Sequence, residues 1–316
     1  MRSNKDNGNS LSLVDSRNKN KILIDKIVHI LFLIIGVICA SSIIIIVFFI
    51  TIKGLRPFFA VYENGEKVDF GSFLFGIEFI KGQYGVLGLV INTIFIVSIA
   101  SLIALPLSVL CALFIVRIAP KKIGSIMEIV VDLLSAVPSI VFGLFGMGVI
   151  NPLVKNIAAL FNYQTAGGVS TLSVIIVLTI MIIPTITTVS ITAMKSVKED
   201  KVLGSLALGA TKMQTNFNII LKGSKSGIIA GLILGVGRAL GEATAVNMVC
   251  GGASGIKISL FDPTSTLTSA MMSGIHESSG LDYDIRFSVG LVLIIIILIT
   301  NLILNIVKKR ICKYDK

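Results

Sequence analysis

The sequence predicts an all-α membrane protein with six transmembrane helices, and three observations carry that prediction. Of its 316 residues, 54% are hydrophobic and only 14% are charged, where soluble domains carry about 25% charged residues. Apolar runs that reach the roughly 20 residues needed to cross a bilayer as a helix recur along the chain. The segments between them alternate between Lys/Arg-rich and charge-balanced, the pattern left when basic residues stay on the cytoplasmic side.

The elements follow in order. Residues 1–26 are polar, rich in Asn, Ser and Lys, and read as a disordered cytoplasmic tail. The apolar run 27–52 is too long for the roughly 7–15-residue core of a signal peptide, so it reads as an uncleaved first span. Residues 53–85 balance Lys53, Arg56, Lys67 and Lys81 against Glu63, Glu66, Asp69 and Glu78 and form an external loop, with a short helix expected at Phe70–Phe75. The core follows over 86–310. Its second span, 86–116, is uncharged and contains Pro106, which predicts a kink or break near the middle. After a basic turn (Arg117, Lys121, Lys122), a third segment starts amphipathically with Glu128 and Asp132 and is uncharged over 133–153, with Pro138, Gly143, Gly146 and Gly148 inside it.

A loop at 154–168 leads to the fourth span, 169–194, which contains Pro184. The fifth is 226–256. A polar loop, 257–285, carries His276 and Glu277, which read as a solvated external loop or else as contacts for an external partner, and the sixth span is 287–307. Lys308, Lys309 and Arg310 then close the core, and 311–316 is a cytoplasmic tail. The basic segments place both termini on the cytoplasmic side of the cell membrane.

Composition also excludes function classes. The net charge of +11 comes from basic loops at a membrane, so it is no argument for a nucleic-acid partner. Cys39, Cys111, Cys250 and Cys312 are not paired by spacing, and His29 and His276 stand far apart, so neither a disulfide frame nor a metal site is expected. No nucleophile with a base points to an enzyme. The chain lacks Gly-x-x-x-x-Gly-Lys-Ser/Thr, the loop that cradles nucleotide phosphates. No internal repeat of the secondary-carrier kind is evident.

The stretch 226–256 is the most informative. It is apolar and span-length, yet holds Arg238 and Glu242. A charge at bilayer depth costs about 2.5–3.5 kcal/mol even on insertion scales, so such residues face a partner, a cavity or a substrate path. On a continuous helix the two share a face. Gly227, Gly231 and Gly235 repeat every four residues, as do Gly237 and Gly241, a spacing that lets helix backbones approach closely. Two readings are open: a buried ion pair that locks packing, or a guanidinium and a carboxylate along an anion route.

The second unusual stretch is 197–222. Leu203, Leu206, Ala210, Met213, Phe217 and Ile220 are spaced 3-4-3-4-3, an amphipathic helix stripe. Gly209 sits in its middle, where a straight helix would lose about 1 kcal/mol, so two short helices with a bend are expected. The stripe either enters a partner's groove or lies on the bilayer with Lys198, Lys201 and Lys212 at the headgroups.

This stretch resembles the coupling region of ABC importer permeases, whose pattern is Glu-Ala-Ala, then Gly, then Ile-x-Leu-Pro. Gly209, Ile219 and Leu221 match at the right spacing, while Leu203-Gly204-Ser205 stands for Glu-Ala-Ala and Lys222 for Pro. ALGATKMQT (207–215), DLLSAVPSIVFGLFG (132–146) and GRALGEATAV (237–246) are similar to the phosphate-specific Pst permeases, as are FGSFLFG (70–76) and TLTSAMM (266–272). Glu-Ala-Thr-Ala-Val after Gly241 is similar to the PstC-type subunit.

The resemblance, over about 27–310, implies a six-helix ABC importer permease with a cytoplasmic coupling helix. It implies a PstA-like permease, a PstB-like ATPase dimer that holds ATP-Mg, a PstS-like phosphate-binding protein, and no cofactor bound by this chain. It also implies a substrate pathway at Arg238 and Glu242 and ATPase coupling through Leu203, Gly204, Ser205, Leu206, Gly209, Ala210, Met213 and Phe217. Chemistry agrees: Arg offers a planar fork to two phosphate oxygens, and a carboxylate accepts from the phosphate OH, a donor that sulfate lacks. Molybdate, sulfate or another oxyanion as cargo, or an ion-driven secondary carrier, are the alternatives.

Overall fold

The computed structural model describes the backbone of residues 6–62 and 67–312, with side chains described from Asp25 onward. Glu63, Glu66 and the last four residues of the chain lie outside the described residues. Among the described residues five helices are long and apolar enough to cross a membrane, or six if a pair bent by 64°, Lys212–Leu221 with Lys225–Gly241, counts as one span.

The chain divides into two units, 1–52 and 53–316. Helix α1 covers Asp6–Phe59, so the tail expected to be disordered over 1–26 is helical from Asp6. Helix growth adds one hydrogen bond per residue once nucleated, and the apolar run behind this tail supplies the nucleus. Within the first unit the apolar side chains are outward, Phe32 and Ile44 among them, as a span bathed in lipid requires.

In the second unit, the end of α1 is clamped. A Cβ at Gly54 would lie 2.8 Å from the Phe287 carbonyl oxygen, and Ser288 Oγ donates to Gly54 O at 2.6 Å. Asp284, 3% exposed, accepts from Tyr62 OH at 2.7 Å and meets Lys53 at 3.6 Å and Arg56 at 3.4 Å. Helix α2, Phe70–Phe75, forms where expected. Asp69 caps it by accepting from Ser72 N–H at 2.8 Å, a bond that also lowers the Asp69 pKa. A hairpin, β1 (Phe79–Ile80) and β2 (Gln83–Tyr84), follows.

Helix α3, Leu87–Leu113, runs on through Pro106 and ends in a π-helical stretch, Phe114–Ile118. Of the kink or break expected at Pro106, the break is absent. The lost donor is tolerated because α3 is packed on its neighbours through Ile96, Val97, Ala100 and Ala104. Helix α4, Lys121–Ser135, is separate from the span it was expected to begin. Pro138 divides the segment, since it disfavours helix at Val137. The span proper is α5 (Ser139–Phe145), a π-helical turn, and α6 (Asn151–Leu160), so the loop expected at 154–168 begins only after Leu160.

Helix α7, Thr171–Lys195, is the central post, continuous through Pro184. Ile175, Leu178, Met181, Ile182 and Ile186 along it are fully buried. Helix α8, Glu199–Ala207, is followed by Gly209 at φ +86° and by α9, Lys212–Thr215, the bent pair of short helices that the glycine predicts. A π-helical stretch, Asn216–Leu221, leads into α10, Lys225–Gly241.

The fifth span departs most from expectation. Helix α10 stops at Gly241, Glu242 is extended, and α11 covers only Thr244–Val249. Seventeen residues rise about 26 Å, so α10 makes most of the crossing by itself, and the chain after α11 folds against α3. The supposedly solvated loop 257–285 is in part core: Thr264, Ser265, Thr266, Leu267, Thr268 and Ser269 are all buried, and α12 is Leu267–Met272. One side chain organises this return. Asn92 on α3 donates to the Gly255 and Ser265 carbonyls at 2.9 and 3.2 Å and accepts from Lys257 N–H at 2.9 Å. Helix α13, Leu281–Cys312, closes the unit and starts earlier than the apolar run suggests.

Candidate transport pathway at a broken helix

The glycine ladder sets the site. Where a Cβ would stand on Gly227 it would collide with Ala193 Cβ; on Gly231 it would lie 3.2 Å from Val189, and on Gly235 2.9 Å from Ile186. These three glycines seat α10 against α7. Gly237 and Gly241 are different: nothing lies within 4 Å of either Cβ position. Within this chain that pair, on the turns around Arg238, has no packing neighbour.

Arg238 and Glu242 do not pair. The shared-face argument holds only while the helix continues, and the helix ends at Gly241. Half-buried Arg238 points its Nη1 to Thr185 Oγ1 on α7 at 2.9 Å and toward the Ser135 carbonyl at 3.4 Å. Ser135 ends α4, and the carbonyl end of a helix carries a partial negative charge that suits a guanidinium. Glu242 Oε1 instead accepts from Ala245 N–H at 2.9 Å. Its carbonyl accepts from Thr268 Oγ1 of α12 at 2.7 Å.

The guanidinium is therefore held by neutral groups, which a bound anion could displace at modest cost. A pre-formed ion pair would have opposed this. Helix α5 closes in because of two more glycines. A Cβ at Gly143 would be 2.5 Å from Met248 Sδ, and one at Gly146 would be 2.6 Å from Val249. Two further polar links tie α4 to α7: Thr188 Oγ1 donates to Asp132 at 3.0 Å, and Lys195 pairs with Glu128 at 2.6 Å.

The elbow before α10 has a built shape. Thr211 and Gln214 form a reciprocal cap on α9, and Ser205 and Thr215 hydroxyls join the two arms at 3.0 Å. Of the expected stripe, Leu203, Met213, Phe217 and Leu206 are exposed, at 61%, 58%, 42% and 36%. Ala210 is half-buried, Gly204 and Gly209 are exposed, and Ser205 is half-buried. Ile220 is wholly buried and belongs to the core around Ile191 and Met194. Leu208, which falls off the stripe, is the most exposed at 92%. It stands directly before Gly209, whose φ is +86°. An uncovered apolar patch of this kind marks a docking or membrane surface.

Sequence reasoning did not find Thr185, Ser135, Thr268, Asn92 or Leu208. Thr185 and Thr268 had no distinguishing pattern, and a backbone carbonyl such as Ser135 O carries none.

Comparison with known proteins agrees with this architecture. The family model described as "Binding-protein-dependent transport system inner membrane component" matches residues 104–313. A probable phosphate transport system permease protein PstC of Methanocaldococcus jannaschii is 30% identical over 278 residues, covering 82% of this chain and 88% of that protein. PstC of Pasteurella multocida is also 30% identical, covering 75% of this chain and 78% of that one. So is a probable ABC transporter permease, YqgH, of Bacillus subtilis, over 84% of each. Among solved structures, a bacterial ABC transporter for the import of the acidic polysaccharide alginate superposes with a TM-score of 0.62 at 16% identity, over 93% of this chain and 99% of that one. The inward-facing MetNI methionine ABC transporter gives 0.56 at 15% identity, over 72% and 95%. At such identities the likeness is one of fold.

Proposed function

The chain belongs to the family of binding-protein-dependent transport system inner membrane components, and from that membership we propose that it is the PstC-type permease of an ATP-driven importer of inorganic phosphate. It forms one half of the transmembrane route beside a PstA-like permease. A PstB-like ATPase dimer holds ATP-Mg, and a PstS-like protein delivers phosphate on the external side. Both termini lie in the cytoplasm. Two relatives that bear the phosphate permease name and align over three quarters or more of the chain support the cargo.

The observation that carries the mechanism is the break after Gly241. It leaves Arg238 held by Thr185 and Ser135, and Glu242 held by Ala245 N–H, beside the open face of Gly237 and Gly241. An arriving phosphate replaces the Ser135 carbonyl on the guanidinium and offers its OH to the Glu242 carboxylate. The return stroke restores both protein bonds and frees the anion. Because α9 and the π-helical stretch lead directly into α10, a shift of the elbow moves the helix that bears Arg238. The ATPase grips the elbow through Leu203, Leu206, Met213 and Phe217, with Gly204, Ser205, Gly209 and Ala210 shaping its backbone.

Purification of the chain in mild detergent should bring down the other permease, the ATPase and the binding protein. Vesicles carrying that complex should import phosphate with ATP and should not be inhibited by sulfate or molybdate. Import of sulfate or molybdate in place of phosphate would transfer the assignment to that oxyanion. Uphill transport by this chain alone would favour the secondary carrier.

A further inference from the structure

A cavity of about 320 Å³ lies between the β1–β2 hairpin, α12, the start of α13 and Asn247 of α11. At about 30 Å³ per water in the liquid, that is room for an oxyanion with part of its hydration shell. Half of its wall is polar. Arg286 Nη1 donates to the Ala270 carbonyl at 2.7 Å and Nε donates to Ser278 Oγ at 3.0 Å, which fixes the guanidinium plane. Gly274, at φ +67°, lies beside Nη2, where a Cβ would come into contact at 3.4 Å.

Lys81, at the hairpin tip, reaches Asp282 Oδ2 at 3.7 Å with its own side chain 88% exposed. Such an exposed pair is worth little and exchanges easily. Tyr84 OH also donates to Asp282, so that carboxylate keeps a partner when Lys81 leaves. Glu277 completes the lining.

We propose that this cavity is an entry subsite for phosphate, with Arg286 and Lys81 as its cations and Glu277 as acceptor for the phosphate OH. The proposal rests on the function proposed above, which puts this side of the protein outward. Two cations face two carboxylates, Glu277 and Asp282, so the wall is neutral overall. It therefore rejects an oxyanion without a proton, because Glu277 would confront it with no hydrogen bond between them, and specificity is commonly built from such a repulsive element. Phosphate brings the missing donor. The subsite also connects to the pathway. Asn247 lies on the short helix whose first turn Glu242 caps, and α12 is bonded to the Glu242 carbonyl through Thr268.

The test is phosphorus NMR line broadening of inorganic phosphate by the assembled permease–ATPase complex, without the binding protein. The wild-type complex should broaden the line saturably. Lys81→Gln and Arg286→Lys should each raise the half-saturating phosphate concentration by about threefold to tenfold, the scale of one exposed or loosened charge contact. Glu277→Gln should let sulfate compete where it does not in the wild type. Absence of broadening by the wild type, or an unchanged half-saturation in Lys81→Gln together with no sulfate competition in Glu277→Gln, overturns the subsite. Both of these side chains can be changed without removing a bond from the packed interior. Phosphate import by the wild-type vesicles decides the cargo separately: if import proceeds while these variants behave as wild type, only the subsite falls.

Discussion

Thr185 accepts a 2.9 Å hydrogen bond from Arg238 Nη1, joining α7 to α10 one turn before the helix break. The bond gives Arg238 a defined rotamer without neutralising it. A hydrogen bond to a charged group contributes about 1.5–3 kcal/mol. Thr185→Val keeps the shape and removes the acceptor, so phosphate import should fall about tenfold or more, while Thr185→Ser should retain most of it. Initial import rates against external phosphate measure this.

The two sets of glycines on α10 should separate under substitution. Gly227→Leu forces a side chain into Ala193 and Gly235→Leu forces one into Ile186. Overpacking of this kind costs about 1–3 kcal/mol and should lower the thermal midpoint of the purified chain. Gly237→Ala meets nothing within 4 Å and should leave that midpoint unchanged. A loss of copurifying permease in Gly237→Ala would place the partner on this face.

The elbow offers a third prediction. Leu208 is 92% exposed and Met213 58%, so Leu208→Asp and Met213→Asp should leave the fold of this chain intact. Burying such a side chain at an interface contributes about 1.5–3 kcal/mol, so each variant should weaken retention of the ATPase by about tenfold or more. Retention measured in pull-downs at graded ATPase concentration reads this directly. If the elbow lay on lipid instead, ATPase retention would not change.

The clamp at the end of α1 has a pH signature. Burial and the bond to Asp284 raise the Tyr62 pKa above its ordinary value of 10.0. A group whose pKa is raised by folding favours the folded state below its unfolded pKa, and that contribution is lost as pH climbs from there toward the folded value. The clamp should therefore loosen above about pH 10. Tyr62→Phe removes the hydroxyl and with it this alkaline step, which hydrogen exchange of the 53–62 backbone would register.

Much of the fold was readable from the chain, and the misses share a cause. The bend at Gly209 was legible because the backbone freedom of glycine is a local property, and the helix expected at Phe70–Phe75 forms on an equally local cap, Asp69. The glycine seat at 227, 231 and 235 was legible because its period is that of a helix. The end of α10 at Gly241 was not, since Ala-Thr-Ala-Val after Glu242 is as apolar and as periodic as the residues before it. What turns the chain there is tertiary: Thr268 on the Glu242 carbonyl and Asn92 on the returning loop. The same applies to α12. Its serines and threonines read as solvated because hydropathy cannot register that they satisfy one another, as Thr266 and Ser269 do reciprocally. Arg238 was identified by its cost in lipid, but its partners lie 53 and 103 residues away, beyond any local pattern.

The central claim is that Arg238 binds the anion during transport driven by a separate ATPase. The most direct measurement is phosphate accumulation and ATP hydrolysis in vesicles that hold the complete complex with Arg238→Gln, with subunit assembly verified on the same sample. The account predicts an assembled complex in which phosphate accumulation is lost, because a neutral amide cannot hold the anion as it passes α10. Accumulation at the wild-type rate by that assembled variant would contradict it.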